Sequence, residues 1–103
     1  MQSSLAVFQA EWCPYSRKVR QKLTELGVSF VAMPVPVEPA DREEMRRKVG
    51  TDQIPAVLFD DGSVLKGDAD AIVAELGAMF NERSDAAEHR RLAQLHPSEG
   101  VDG

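Results

Sequence analysis

Cysteine is almost absent from this chain: Cys13 is the one thiol in 103 residues. A single cysteine excludes any internal disulfide, so the fold is not a stapled secreted scaffold, and the thiol is expected to stay reduced. Long apolar runs are missing as well; nothing approaches the roughly 20 residues needed to cross a bilayer. Met1-Gln2-Ser3-Ser4 leads straight into a short strand-like run, without the basic-then-apolar pattern of a secretion signal. The expectation from these absences is a soluble, cytoplasmic domain with no membrane partner. Positive charge is outnumbered, with 12 Lys and Arg against 17 Asp and Glu and a net charge of −5. Such a surface does not neutralise phosphates, which argues against general nucleic-acid binding. Metal-ligand clusters are also lacking. His89 and His96 lie seven apart with no cysteine or carboxylate set to complete a site, so no metal is expected.

What is present suits one compact core: the apolar fraction of 43% is ordinary for a globular protein. Leu5 to Gln9 reads as a buried strand. Val19, Leu23 and Leu26 then recur at helical spacing, with Arg17, Lys18, Arg20 and Lys22 on the solvent side, and Gly27 stops the helix. Val28 to Met33 is a second strand, after which Pro34, Pro36 and Pro39 are expected to prevent further sheet pairing. Asp41, with Glu44 three residues on, predicts a capping box opening a short helix to Val49, which Gly50 closes. The Asp-Arg-Glu-Glu run at 41–44 reads as an exposed helix start. Ala56 to Phe59 is a third strand, Asp61-Gly62 a hairpin turn, and Ser63 to Lys66 the returning strand. Asp68 or Asp70 can cap the next helix, whose apolar face is Ile72, Val73, Leu76, Met79 and Phe80. Ser84 can cap a last short helix over about 84–95, with Ala87, Leu92 and Leu95 as a thin stripe, before a frayed end from Pro97. The order β-α-β-α-β-β-α implies an α/β fold. Its first two strands, joined through a helix, are parallel; its last two form an antiparallel hairpin; the sheet is four-stranded, mixed and flanked by helices.

Trp12-Cys13-Pro14-Tyr15-Ser16 carries the chemistry. A thiol at a strand-to-helix junction meets the first-turn amides and the positive end of the helix dipole, and both favour thiolate over thiol. Pro14 suits the first helical position, where its missing N–H would have no partner. The inert alternative is a buried core cysteine. Ser16 either hydrogen-bonds the thiolate or simply serves the helix start. Tyr15 is either a groove wall or packing on the helix, and Trp12 either a cover for the site or part of the core.

Three separated motifs, spread over about Leu5 to Phe80, resemble the glutaredoxins within the thioredoxin-like fold and the N-terminal domain of glutathione transferases. Cys13-Pro14-Tyr15-Ser16 is similar to the family's Cys-Pro-Tyr-Cys with the second cysteine replaced. Gln53-Ile54-Pro55 stands at the place of its Thr-Val-Pro, whose proline is cis. Gly67-Asp68-Ala69-Asp70 stands at its Gly-Gly-x-Asp-Asp-like turn. The resemblance implies a glutaredoxin-like domain over 1–80 and a C-terminal extension over 81–103. It implies that Cys13 is the catalytic thiolate and that glutathione is a co-substrate. The ligand would lie across Pro14, Tyr15 and Ser16, pair with the Ile54 backbone beside Gln53 and Pro55 as an added strand, and meet Asp68, Ala69 and Asp70 with its α-amino acid end. Two departures bear on the ligand. The lysine usual three residues before the cysteine is Ala10 here, followed by Glu11; Arg17 and Lys18 or Arg47 and Lys48 are candidates to supply the positive charge, and Arg20 and Lys22 are expected to lie too far along. The transferase serine is Ala69.

Without a second cysteine a resolving thiol must come from outside. The implied function is a monothiol disulfide oxidoreductase acting on glutathionylated proteins or small disulfides, with glutathione or a related small thiol. Two alternatives stay open: a dimer binding an iron–sulfur cluster through Cys13 and glutathione, and a transferase-like domain that binds glutathione without catalysis.

Overall fold

The computed structural model describes residues 5–95. The expected tail from Pro97 and His96 lie outside these residues. The elements are β1 (Leu5–Gln9), α1 (Pro14–Leu26), β2 (Phe30–Pro34), a 3-10 turn (Pro39–Asp41), α2 (Glu43–Val49), β3 (Ala56–Phe59), β4 (Val64–Leu65), α3 (Ala69–Met79) and α4 (Ala86–Leu95). One four-stranded sheet has the order β2-β1-β3-β4. β1 runs parallel to β2 and antiparallel to β3, and β3 pairs antiparallel with β4, giving the mixed thioredoxin-like sheet expected from the sequence.

Period-two alternation along the strands divides the apolar residues between two faces. Leu5, Val7 and Val57 join Val19, Leu23 and Leu26 of α1 and Ile72 and Leu76 of α3 in one core. Phe8 and Ala56 face the other way, onto Met45 and Val49 of α2. The sheet is thus covered on both sides, by α1 and α3 on one and by the short α2 on the other.

Several boundaries differ from the sequence expectation, each for a local reason. Val28 is not in a strand, because it completes the end of α1. Gly27 takes φ 70°, its amide donates to Thr24 O at 3.0 Å, and Val28 N donates to Leu23 O at 3.0 Å. β2 therefore starts at Phe30, and it runs through Pro34, which pairs with Gln9. Pairing survives because β2 is an edge strand: the flanking Val35 N donates to Gln9 O at 3.1 Å, and the position without an N–H faces the open side. Asp41 ends the 3-10 turn instead of capping α2, whose N-cap is Arg42 without a side-chain capping bond. Arg42 is buried at 6% exposure, so the 41–44 run is not wholly an exposed start. β4 is reduced to Val64–Leu65, and Met79 of α3 is 51% exposed and outside the core face.

α4 lies against α1, but not through the expected stripe, since Ala87, Leu92 and Leu95 are all exposed. It is fixed by the buried Ala86 and by Arg90, whose Nη2 reaches Glu25 Oε1 at 2.8 Å and Glu82 Oε2 at 2.7 Å. The backbone approach is close too: Arg83 N donates to Glu25 O at 2.8 Å.

Candidate active site

The sheet register brings the three motifs to one end. Phe8 lies opposite Ala56, so residues leaving β1 toward Cys13 run beside those entering β3 from Pro55. Leu65 lies opposite Val57, so the chain leaving β4 toward Asp68 emerges at the same end. Cys13, Ile54-Pro55 and the start of α3 are gathered there by strand pairing alone.

Cys13 is the N-cap of α1, with φ −84° and ψ 119°, and Pro14 takes the first helical position as expected. Its Sγ accepts a hydrogen bond from Ser16 N at 3.5 Å, filling the place an oxygen takes in an ordinary cap. The sulfur is thus an acceptor at the end of the helix where the dipole favours negative charge. It is only 5% exposed, while the neighbouring Trp12 and Tyr15 are 56% and 57% exposed, so neither aromatic belongs to the core.

The turn from β1 to Cys13 is tied at several points. Cys13 N donates to Ala10 O at 3.2 Å, and Ala10 N donates to Ser16 Oγ at 3.4 Å. Ser16 is fully buried; its oxygen serves the turn, while its amide serves the helix start. Arg20 corrects the expectation that it lies too far along to matter. Helical side chains lean toward the N-terminus, and Arg20 Nη1 hydrogen-bonds Gln9 Oε1 and reaches Ala10 O at 3.5 Å, with Nη2 3.8 Å from Glu11 Oε1. It is the cation of this turn, where the sequence itself offers only Ala10 and Glu11. No spacing rule marks this contact, because it depends on how far a long side chain leans back past the helix start.

The Ile54–Pro55 peptide is cis, and Pro55 is fully buried. Gln53 is exposed and Ile54 half-buried against the α2-side core. Among the described residues, the amide and carbonyl of Ile54 make no backbone hydrogen bond, since the β3 ladder begins at Ala56. Asp68 is the N-cap of α3 with no side-chain capping bond, Ala69 is buried, and the exposed Asp70 pairs with Lys18 Nζ at 3.2 Å. That pair links the second turn of α1 to the first of α3. A groove of about 480 Å³ begins beside Pro14 and runs between α1, α3 and α4, past Arg17, Lys18, Asp70, Val73 and Ala93. Arg47 and Lys48 are exposed on α2, with Lys48 Nζ 3.1 Å from Glu44 Oε2.

Among the described residues, no group of three or more His, Cys, Asp or Glu is placed to hold a metal ion, and His89 Nε2 lies 3.3 Å from Asp85 Oδ2. No described helix is long and apolar enough to cross a membrane.

Comparison with known proteins agrees with this geometry. The family model described as Glutaredoxin matches residues 5–64. Glutaredoxin 3 of Escherichia coli (strain K12) is 31% identical over 58 residues, covering 56% of this chain and 70% of that protein. Among solved structures, glutathione transferase E6 from Drosophila melanogaster superposes with a TM-score of 0.63 at 25% identity, over 79% of this chain and 36% of that one. A glutathione S-transferase domain-containing protein from Marinobacter aquaeolei VT8 gives 0.62 at 26% identity, over 77% and 40%. Glutathione transferase Omega 1C from Trametes versicolor, at 17% identity and a TM-score of 0.61 over 76% and 37%, shows the shared fold alone. The chain therefore covers well under half the length of these transferases. With the family match extending from β1 through β3 and into β4, across both the Cys13 turn and the Ile54-Pro55 loop, the chain belongs to the glutaredoxin family.

Proposed function

We propose that this chain is a glutathione-dependent thiol–disulfide oxidoreductase working with one thiol. Family membership and the likeness to Glutaredoxin 3 support thiol–disulfide exchange with glutathione in general. The one-thiol reading rests on a single observation: the sole cysteine caps α1, and the position one turn on is Ser16, whose oxygen accepts from Ala10 N.

In the proposed reaction the Cys13 thiolate attacks the glutathione sulfur of a mixed disulfide. The Cys13–glutathione disulfide forms, the substrate–glutathione S–S bond breaks, and the substrate leaves as a thiolate that takes a proton from water. A glutathione thiolate then attacks the glutathione sulfur on Cys13. Oxidised glutathione leaves and the Cys13 thiolate returns, so the net reaction converts the mixed disulfide and one incoming glutathione into the substrate thiol and oxidised glutathione. The Ser16 amide holds the Cys13 sulfur, and the open Ile54 backbone pairs with the glutathione backbone as an added strand. Asp68, Ala69 and Asp70 receive its γ-glutamyl end, with Pro14, Tyr15, Gln53 and Pro55 forming the walls. Substrates are glutathionylated proteins or small disulfides, and a chain that depends on a reduced thiol works in the cytoplasm.

The test is steady-state turnover of a small glutathione mixed disulfide. Cys13→Ser abolishes activity, and wild-type kinetics at varied glutathione follow a ping-pong pattern. Inactive wild-type protein, or activity surviving in Cys13→Ser, overturns the reading. The transferase likeness favours a second reading, a glutathione-binding domain without redox activity; measurable glutathione affinity with no turnover would select it.

A further inference from the structure

The loop that presents Ile54 is short, exposed at Gln53, and outside any ladder, yet it is fixed from beneath by two arginines of the α2 region. Arg42 is buried, and its three hydrogen bonds all end on carbonyl oxygens: Nε to Pro36 O at 2.8 Å, Nη2 to Val37 O at 2.8 Å, and Nη1 to Asp52 O at 2.9 Å. Arg46, one turn on, holds the same residue by its side chain, with Nη1 3.1 Å from Asp52 Oδ2, and also donates to Pro39 O and Ala40 O at 2.9 and 3.0 Å. Within the loop, Gln53 N donates to Thr51 Oγ1 at 3.1 Å. A guanidinium is suited to this task, since its planar fork addresses several acceptors at fixed angles. Burying it at the start of a helix runs against the helix dipole, which disfavours a cation there. An apolar side chain in this position would leave the Pro36, Val37 and Asp52 carbonyls without these donors. What the charge secures is the position of Asp52, two residues before Ile54.

We propose that Arg42 is a positioning residue for the glutathione-binding edge, seconded by the Arg46–Asp52 pair. Arg42 holds the Asp52 carbonyl so that the Ile54 amide and carbonyl, which make no backbone hydrogen bond of their own, are already ordered in the free protein. The inference rests on the reading that glutathione pairs with Ile54. An added strand gains affinity when its template is ordered beforehand, because the ordering entropy is not charged to binding.

Two variants test it. Arg42→Lys keeps the charge but loses the fork, and Asp52→Ala removes the Arg46 partner from a half-exposed position with little threat to folding. Both raise the KM for glutathione, Arg42→Lys by about tenfold, the scale of one charge-assisted hydrogen bond. In both, kcat and the alkylation rate of Cys13 in the free protein stay at the wild-type value, and the order parameter of the Ile54 amide falls from about 0.85 toward 0.6. A purely structural role would lower the unfolding midpoint and leave KM and the Ile54 order parameter alone; that result overturns the proposal. If Arg42→Lys does not fold, Asp52→Ala decides by the same readouts. If wild-type protein neither turns over nor binds glutathione, the functional reading fails. The clamp is then judged by the Ile54 order parameter alone, and an unchanged value in the variants overturns it.

Discussion

Two tasks meet in the small side chain and amide of Ser16. Its N–H donates to Cys13 Sγ, and its hydroxyl oxygen accepts from Ala10 N. The first is a backbone contact that any residue but proline supplies. The second belongs to the hydroxyl, and Ser16→Ala leaves the buried Ala10 amide without its acceptor. We expect that variant to lose about 1 kcal/mol of stability, at the low end for an unsatisfied buried group because the bond is long. Urea denaturation measures this, while the Cys13 alkylation rate should change little. Cys13 and Pro14 were legible from residue type alone, since a thiol before a first-turn proline has few other places to be. Arg20 and Arg42 were not. Each reads in the sequence as a solvated helix charge, yet Arg20 reaches back to Ala10 O and Arg42 bonds Pro36 O behind it and Asp52 O ahead, which depends on rotamer and burial and leaves no mark in spacing.

At the scale of elements, β1, α1, β3 and α3 stand where the hydrophobic period places them, with Gly27 ending α1, because each buries a face in the core shared by Leu5, Leu23, Val57 and Leu76. The differences from the sequence pattern lie at element edges. β2 keeps Pro34 in register because only one side of an edge strand is paired. α2 takes Arg42 instead of Asp41 as its cap because a 3-10 turn intervenes. The α4 stripe failed for a different reason: α4 meets α1 through charge. Glu25 is a buried carboxylate on α1. Burial pushes it up, but hydrogen bonds from Arg90 and Gln21 and the charges of Arg90 and Lys22 outweigh this and hold it below its ordinary value of 4.5. A carboxylate depressed in the folded state stabilises fully above that ordinary value, and the contribution is lost as pH falls through the lower folded value. Stability measured by urea midpoint should therefore hold from neutrality to about pH 5 and decline below 4.5. Arg90→Gln removes the main opposing partner, so the folded value moves back toward 4.5 and the decline should shrink, while its onset, set by the unfolded chain, stays where it is. A profile that is identical in Arg90→Gln and wild type would show that α4 is not held by this pair.

For the whole molecule, the strand register leads three distant stretches of sequence to one end of the sheet. The exits of β1 and β4 and the entry of β3 share one end of the sheet. The motif order made this legible, whereas the underside of the site, where α2 holds Asp52, was not. Within a net charge of −5, Arg20 bonds the turn before Cys13, and Arg42 and Arg46 bond Asp52 in the loop before Ile54, so the charge count alone does not describe the charge on these loops. The central claim is that one thiol carries a glutathionyl group between two partners. Intact-mass measurement after acid quenching tests it most directly. Protein exposed to glutathione disulfide should gain one glutathionyl group per chain, located on Cys13, and lose it when reduced glutathione is added. A chain that stays unmodified, or one whose Cys13 adduct persists under excess glutathione, would contradict the account.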